Sequence, residues 1–91
     1  MTEQDDTLHV KLAEKLRVML DLVPVGQKSA IHHLFGILYA DEIRGMKIYE
    51  LEYIAVLGGS TTSMAIEINK GRNLAPYVQV KPAFRQYRIW P

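Results

Sequence analysis

Two apolar helical runs joined by a pair of glycines place the tightest constraint on this chain. The stretch Ile48-Tyr49-Glu50-Leu51-Glu52-Tyr53-Ile54-Ala55-Val56-Leu57 reads as one helix with Ile48, Leu51, Ile54 and Ala55 on its core face. Gly58-Gly59 stops it, and Ser60-Thr61-Thr62-Ser63 opens a second helical run that reaches Lys70 and stops at Gly71. A glycine-containing turn of about three or four residues lets a second helix cross the first steeply. Ser60 is the expected N-cap, its hydroxyl holding a free amide of the first turn. On the wheel of this second helix Thr61, Ala65 and Ile68 share one side, flanked by Met64. Ser60, Ser63, Glu67 and Lys70 share the other, which is expected to face outward.

Two further helices are predicted upstream. Residues 1–6 read as a flexible tail, and Asp5, Asp6 and Thr7 open an N-terminal helix within residues 7–25. From Leu8 to about Val23, the residues Leu8, Leu12, Ala13, Leu16, Met19, Leu20 and Val23 form one stripe. Val10, Val18 and Leu22 fall outside it. This is more apolar surface than one small core needs, so a dimer seam through Leu8, Leu12, Val18 and Leu22 is expected. Scattered surface apolar residues are the bland alternative. Pro24 and Gly26 end this helix. The next runs from Lys28 or Ser29 to about Arg44, with Gly45 as a left-handed stop. It is apolar nearly all round, the mark of a buried central helix. Gly36 inside it costs about 1 kcal/mol against alanine, and the expected return is close approach of a neighbouring helix.

Charge is unevenly distributed along the 91 residues. Residues 1–69 carry six Lys/Arg and ten Asp/Glu, a net −4, whereas residues 70–91 carry five Lys/Arg and no acid, a net +5. Asymmetry of this kind points to a polyanion at one end. In the basic end, Tyr77-Val78-Gln79-Val80-Lys81 alternates polar and apolar, as does Arg85-Gln86-Tyr87-Arg88-Ile89. Lys81-Pro82-Ala83-Phe84 lies between them as a hairpin turn. The predicted fold class is therefore mainly α with a small β-hairpin (α+β): a winged helix-turn-helix over residues 26–91, with a tri-helical core plus the N-terminal helix.

A chain of this length is one domain that buries roughly 60–65% of its unfolded surface. It has no cysteine, which removes disulfides and thiolate metal sites and suits a reducing cytosol. No apolar run approaches the roughly 20 residues of a membrane span, and the acidic N-terminus is unlike a signal peptide. The expected location is cytoplasmic, with the nucleoid.

The segment Gly59-Ser60-Thr61-Thr62-Ser63-Met64-Ala65-Ile66, with Lys70-Gly71-Arg72-Asn73-Leu74 and then a strand, resembles the recognition helix and wing of bacterial winged-helix regulators of the MarR-like type. The resemblance covers roughly residues 28–91. This chain departs from that family in being shorter, in lacking a long C-terminal dimerisation helix and in its short wing loop. The departures leave little room for an effector pocket. The resemblance implies sequence-specific binding of double-stranded DNA by a small dimeric transcriptional regulator or repressor. The expected DNA-binding residues are Ser60, Thr62, Ser63, Glu67, Lys70, Arg72, Lys81, Arg85 and Arg88. Short hydroxyls let a helix lie close to DNA, and Lys70 reaches phosphate or guanine. Glu67 is repulsive near phosphate and fits only by accepting from cytosine or by lying off the interface. About four tail phosphate contacts would give a log–log salt slope near −3.6.

Other chemistry finds no support. Gly58-Gly59-Ser60-Thr61 lacks the lysine and spacing of a phosphate loop, and Thr62 stands where a nucleophile elbow needs glycine. His32 and His33 are adjacent, so a helix points them about 100° apart, unlike the i, i+4 spacing of zinc ligands. Asp41-Glu42 and Glu50/Glu52 read as solvated faces, and Tyr49, Tyr53, Tyr77, Tyr87 and Trp90 serve a core or seam as readily as base stacking. The reading is of a non-enzymatic protein with no metal or other cofactor. The rival reading is a winged-helix adaptor module that binds protein and no DNA; a third is a catalytically inert subunit of a nucleic-acid enzyme.

Overall fold

The buried side chains of the first helix, α1 (Glu3–Asp21), repeat at helical spacing: Leu12, Ala13, Leu16 and Met19 are enclosed, with Leu8 and Leu20 packed at the edge of the same cluster. The structure is a computed structural model that describes residues 3–23 and 26–89. The expected stop at Pro24 lies outside them, and α1 begins at Glu3, ahead of the expected start. Four more helices follow: α2 (Lys28–Leu38), α3 (Ile48–Leu57), α4 (Ala65–Leu74) and the single turn α5 (Pro82–Arg85). One 3₁₀ turn, Thr62–Met64, leads into α4 and another, Ala75–Tyr77, leaves it. One core joins Leu12, Leu16 and Met19 of α1 to Phe35 of α2, Leu51 and Ile54 of α3 and Ile68 of α4.

The α2–α4 crossing brings backbone against backbone. A methyl group on Gly36 would overlap the Ile68 carbonyl oxygen and lie 2.8 Å from the Arg72 nitrogen. A methyl group on Gly71 would overlap the His33 carbonyl oxygen. Each helix therefore gives up a side chain so that backbone meets backbone. Gly36 does what its position suggested. Gly71 does not: it is buried inside α4 with the helix continuing to Leu74, and its φ is not among the positive ones. Glycine ends a helix by adopting a left-handed φ. Here its missing side chain is needed for the crossing instead.

Several expected boundaries move. Regular α2 ends at Leu38, after which Tyr39 to Gly45 form successive turns, with the Ile43 N–H donating to Tyr39 O at 3.1 Å and Met46 N–H to Ile43 O at 3.0 Å. Gly45 takes the left-handed conformation (φ 79°) at the end of these turns. α3 spans the expected residues, and the Glu50 carboxylate accepts from the Lys47 N–H at 2.9 Å to fix its start. Leu51, Ile54 and Ala55 are buried as expected, but Ile48 is exposed.

The β-hairpin wing is absent: the described residues hold no strand. Val78 is extended (φ −133°, ψ 160°), yet no partner pairs with it. The reason lies in Lys81-Pro82-Ala83-Phe84. A tight hairpin favours Asn, Asp or Gly for its positive φ values, and none is present. Pro82 has φ preset for the first helical position, and it starts α5 there. Arg85 then turns back to donate through Nε to Val80 O at 2.9 Å. The segment is held down by Tyr39, whose hydroxyl donates to Tyr87 O at 2.8 Å and accepts from Ile89 N–H at 3.1 Å. Val80 and Tyr87 cover the core from this segment.

Replacing Gly71 by alanine should lower the unfolding free energy by about 2–3 kcal/mol, because overpacking of backbone against backbone outweighs the gain in helix propensity. Urea denaturation measures this, and a variant as stable as the parent would refute the account of the crossing.

Candidate nucleic-acid interface

The turn between α3 and α4 is closed by its own backbone. Gly58 N–H donates to Ile54 O at 2.9 Å, Gly59 N–H to Val56 O at 3.1 Å and Ser60 N–H to Ala55 O at 2.8 Å. Gly59 is left-handed (φ 91°), a conformation that L side chains rarely adopt. Gly58 lies against α1, where a methyl group would come within 3.0 Å of Leu16 Cδ2 and 3.1 Å of Ala13 O. Ser60 serves as the closing residue of the turn rather than as the N-cap. Thr61 stands before the 3₁₀ turn, and its hydroxyl engages Ser63 Oγ at 2.9 Å instead of a backbone amide.

From this fixed turn, Ala65, Ile68 and Gly71 point α4 into the core. The opposite stripe carries Thr62, Ser63, Ile66, Lys70, Asn73 and Leu74, all exposed. Ile66 and Asn73 were not expected in this set. Reading Gly71 as a helix stop hid Asn73, and an exposed isoleucine leaves no mark in a pattern that treats apolar residues as core.

Glu67 is turned off this stripe toward α2. Its carboxylate lies 3.4 Å from His33 Nε2 and 3.2 Å from Lys70 Nζ. The hydrogen bond from Lys70 holds the Glu67 carboxyl below the usual carboxylate range; burial opposes the shift, and the charges of Lys70 and His33 reinforce it. The repulsion it would otherwise exert on a polyanion is offset by its two neighbours.

Arg72 faces inward as well. Nη1 donates to Ile43 O at 2.9 Å and to Met46 O at 2.7 Å, while Nε and Nη2 reach Asn69 Oδ1 at 3.2 and 2.6 Å. It ties α4 to the α2–α3 connection and leaves little of its fork for a phosphate. That connection presents Arg44 and Lys47 to solvent, Arg44 within 2.8 Å of Asp41.

The tail cations do not gather beside α4. Arg88 pairs with Glu42 at 2.7 Å and lies 5.3 Å over the Tyr39 ring. Phe84 and Tyr87, on either side of Arg85, line a groove with Ala30, Ile31 and Leu34. Leu34 and Gly36 point about 160° apart on α2, so this groove lies on the side of α2 away from α4. Lys81 and Arg85 are exposed there, with the Arg85 side chain turned to Val80 O. The expected dimer residues separate too: Leu12 is buried in the core, Leu8 is half-buried, and Val18 and Leu22 are 53% and 59% exposed.

A family model described as an HTH-like domain matches residues 9–81. No curated protein and no solved structure matches. Among the described residues no helix is long and apolar enough to cross a membrane, and no group of three or more His, Asp or Glu side chains is placed to hold a metal ion.

One buried base sits in α2, on the side of the helix that meets α4. His32 is fully enclosed, with Nδ1 2.5 Å from the Lys28 carbonyl oxygen and Nε2 without a hydrogen bond. Burial lowers its pKa from 6.5; the Lys28 carbonyl and Glu67 oppose the shift, and the charges of His33 and Lys28 add to it. Protonation therefore favours the unfolded chain, and the stability contributed by neutral His32 is complete above pH 6.5 and lost as pH falls toward the lowered folded value. Thermal unfolding at about pH 7.5 and about pH 5.5 should show this loss, and His32→Leu should shrink it. An equal acid-side loss in that variant would show that other groups cause it.

Proposed function

The chain belongs to the HTH-like domain family, and on that premise we propose that it binds double-stranded DNA in a sequence-specific manner, as a small transcriptional regulator that lays α4 in the major groove. The observation that carries this reading is the exposed stripe of α4. Thr62 and Ser63 at its start are short hydroxyls suited to phosphate or base edges. Ile66 offers a flat apolar contact for a thymine methyl group, and Asn73 carries the amide that pairs bidentately with adenine. Lys70, exposed beside them, reaches guanine or phosphate. Glu67 does not contribute, since it is turned toward His33. Lys47 and Arg44 stand beside the C-terminal half of α4 and supply phosphate contacts there, because Arg72 binds their segment to this helix. This assignment replaces the tail as the main source of backbone affinity.

The reading includes a homodimer joined through the outer flank of α1, where Val18 and Leu22 are exposed. This flank lies on the side of α1 away from Arg17 and the glycine turn, so pairing two copies leaves both α4 stripes open. A two-fold symmetric DNA site follows from that arrangement.

Random-site selection with the purified protein at two salt concentrations is the direct test. Enrichment of a motif supports the reading, and no enrichment at either salt removes it. Asn73→Ala and Ser63→Ala should each relax the motif at one base step, at a discrimination cost of about 1–3 kcal/mol. A uniform loss across all sequences would mean that α4 does not read bases. Val18→Glu combined with Leu22→Glu should yield a monomer by light scattering, while a monomeric parent protein would refute the seam.

A further inference from the structure

A cleft of about 190 Å³ opens at the N-terminal pole of α4, lined by Arg17 and Asp21 of α1, Lys28 of α2, and Gly58, Gly59 and Ser60 of the turn. Its position follows from the packing of α1. Gly58 is in contact with Ala13 and Leu16, which sets the next turn of α1 beside Gly59. The Arg17 guanidinium comes within 3.5 Å of where a Gly59 side chain would begin. Lys28 enters from the first residue of α2.

The cations that line this cleft come from two different helices and are open to a ligand. Lys70, Arg44 and Arg88 are each matched to a carboxylate, and Arg72 is engaged by carbonyls and Asn69. Among the described residues, the side chains of Arg17 and Lys28 have no hydrogen-bond or ion-pair partner. Asp21 is the one acid in the lining, so the cleft carries an excess of positive charge. A planar guanidinium and an ammonium from different helices, with the Ser60 hydroxyl in the same lining, match a phosphoryl group.

We propose that this cleft is a phosphate seat, in which Arg17, Lys28 and Ser60 hold a backbone phosphate of the DNA strand that passes the N-terminal end of α4. The inference rests on the DNA-binding reading for the source of the phosphate, and on the cleft alone for the chemistry. The exposed stripe begins at Thr62, two residues beyond Ser60. A duplex laid along that stripe therefore brings a sugar-phosphate strand to this pole. The contact carries no sequence information; it fixes where the helix sits along the groove.

The test uses the full chain, Arg17→Gln with Lys28→Gln, and a charge-matched control, Lys81→Gln with Arg85→Gln, two exposed cations of the tail segment away from α4. Duplex affinity is measured against salt, and inorganic phosphate is titrated while backbone amide resonances are followed. In the parent, phosphate should shift the Gly59, Ser60 and Lys28 amides saturably, and the Arg17/Lys28 variant should lose those shifts. That variant should also lower the log–log salt slope by roughly 1, keep the selected motif and keep its thermal midpoint, while the control keeps the parent slope. Absence of the amide shifts in the parent overturns the seat. Shifts in the parent with an unchanged slope in the Arg17/Lys28 variant overturn the DNA source and leave a site for free phosphate. An equal slope loss in the control reduces the effect to bulk charge and overturns the assignment. A parent that binds phosphate and no duplex refutes the DNA-binding reading while leaving the cleft intact.

Discussion

Backbone-to-backbone packing of α2 on α4, made possible by Gly36 and Gly71, sets the position of everything else. Two helices with ordinary side chains at their contact lie 8–10 Å apart, as a typical range. Removing the side chain from both sides of one crossing brings the axes closer and leaves almost no freedom in their angle. α4 is then fixed by α2 along its buried side and by the glycine turn at its start. Arg72 adds the third restraint by holding the carbonyls of Ile43 and Met46. A helix restrained at its start, along its length and near its end presents its outer stripe in one orientation.

Charge in this chain divides by use rather than by position in the sequence. The acid-free end holds five cations, yet Arg72 and Arg88 are engaged inside the molecule and Lys70 is matched to Glu67. Among the described residues, the cations without partners include Arg17 and Lys28, which belong to the net-acidic body. Net charge counted along a chain cannot register this, because a guanidinium buried against carbonyls and one open to solvent count alike.

The helical part of the fold was legible because its signals are local. The run Ile48–Leu57, the glycine turn and the stripe on α1 each reside within a single helix or turn, and the structure places them where periodicity does. Gly36 was legible because a glycine inside a helix needs a reason. The tail was not, since five alternating residues carry a weak signal and a strand exists only if another strand accepts it. Pro82 decided the outcome by starting a helical turn, and Tyr39, 48 residues away from Tyr87, supplied the hydrogen bonds that a partner strand would have given. Gly71 shows the remaining difficulty: the same residue type ends helices and permits close crossings, and only the location of His33 distinguishes the two. In the candidate interface, Ser63 and Lys70 were legible from the wheel, whereas Asn73 became visible only with the true length of α4 and Ile66 only with its exposure.

On α4 the residues that hold the helix and those that face outward are separate sets. Ala65, Ile68 and Gly71 make the core contacts, and Thr62, Ile66 and Asn73 make none of them. Substitutions along the outer stripe therefore leave the packing of the domain intact. The scaffold behaves as a fixed mount for an interchangeable surface, so descendants of one ancestral chain could diverge in what they recognise while keeping the same pair of glycines.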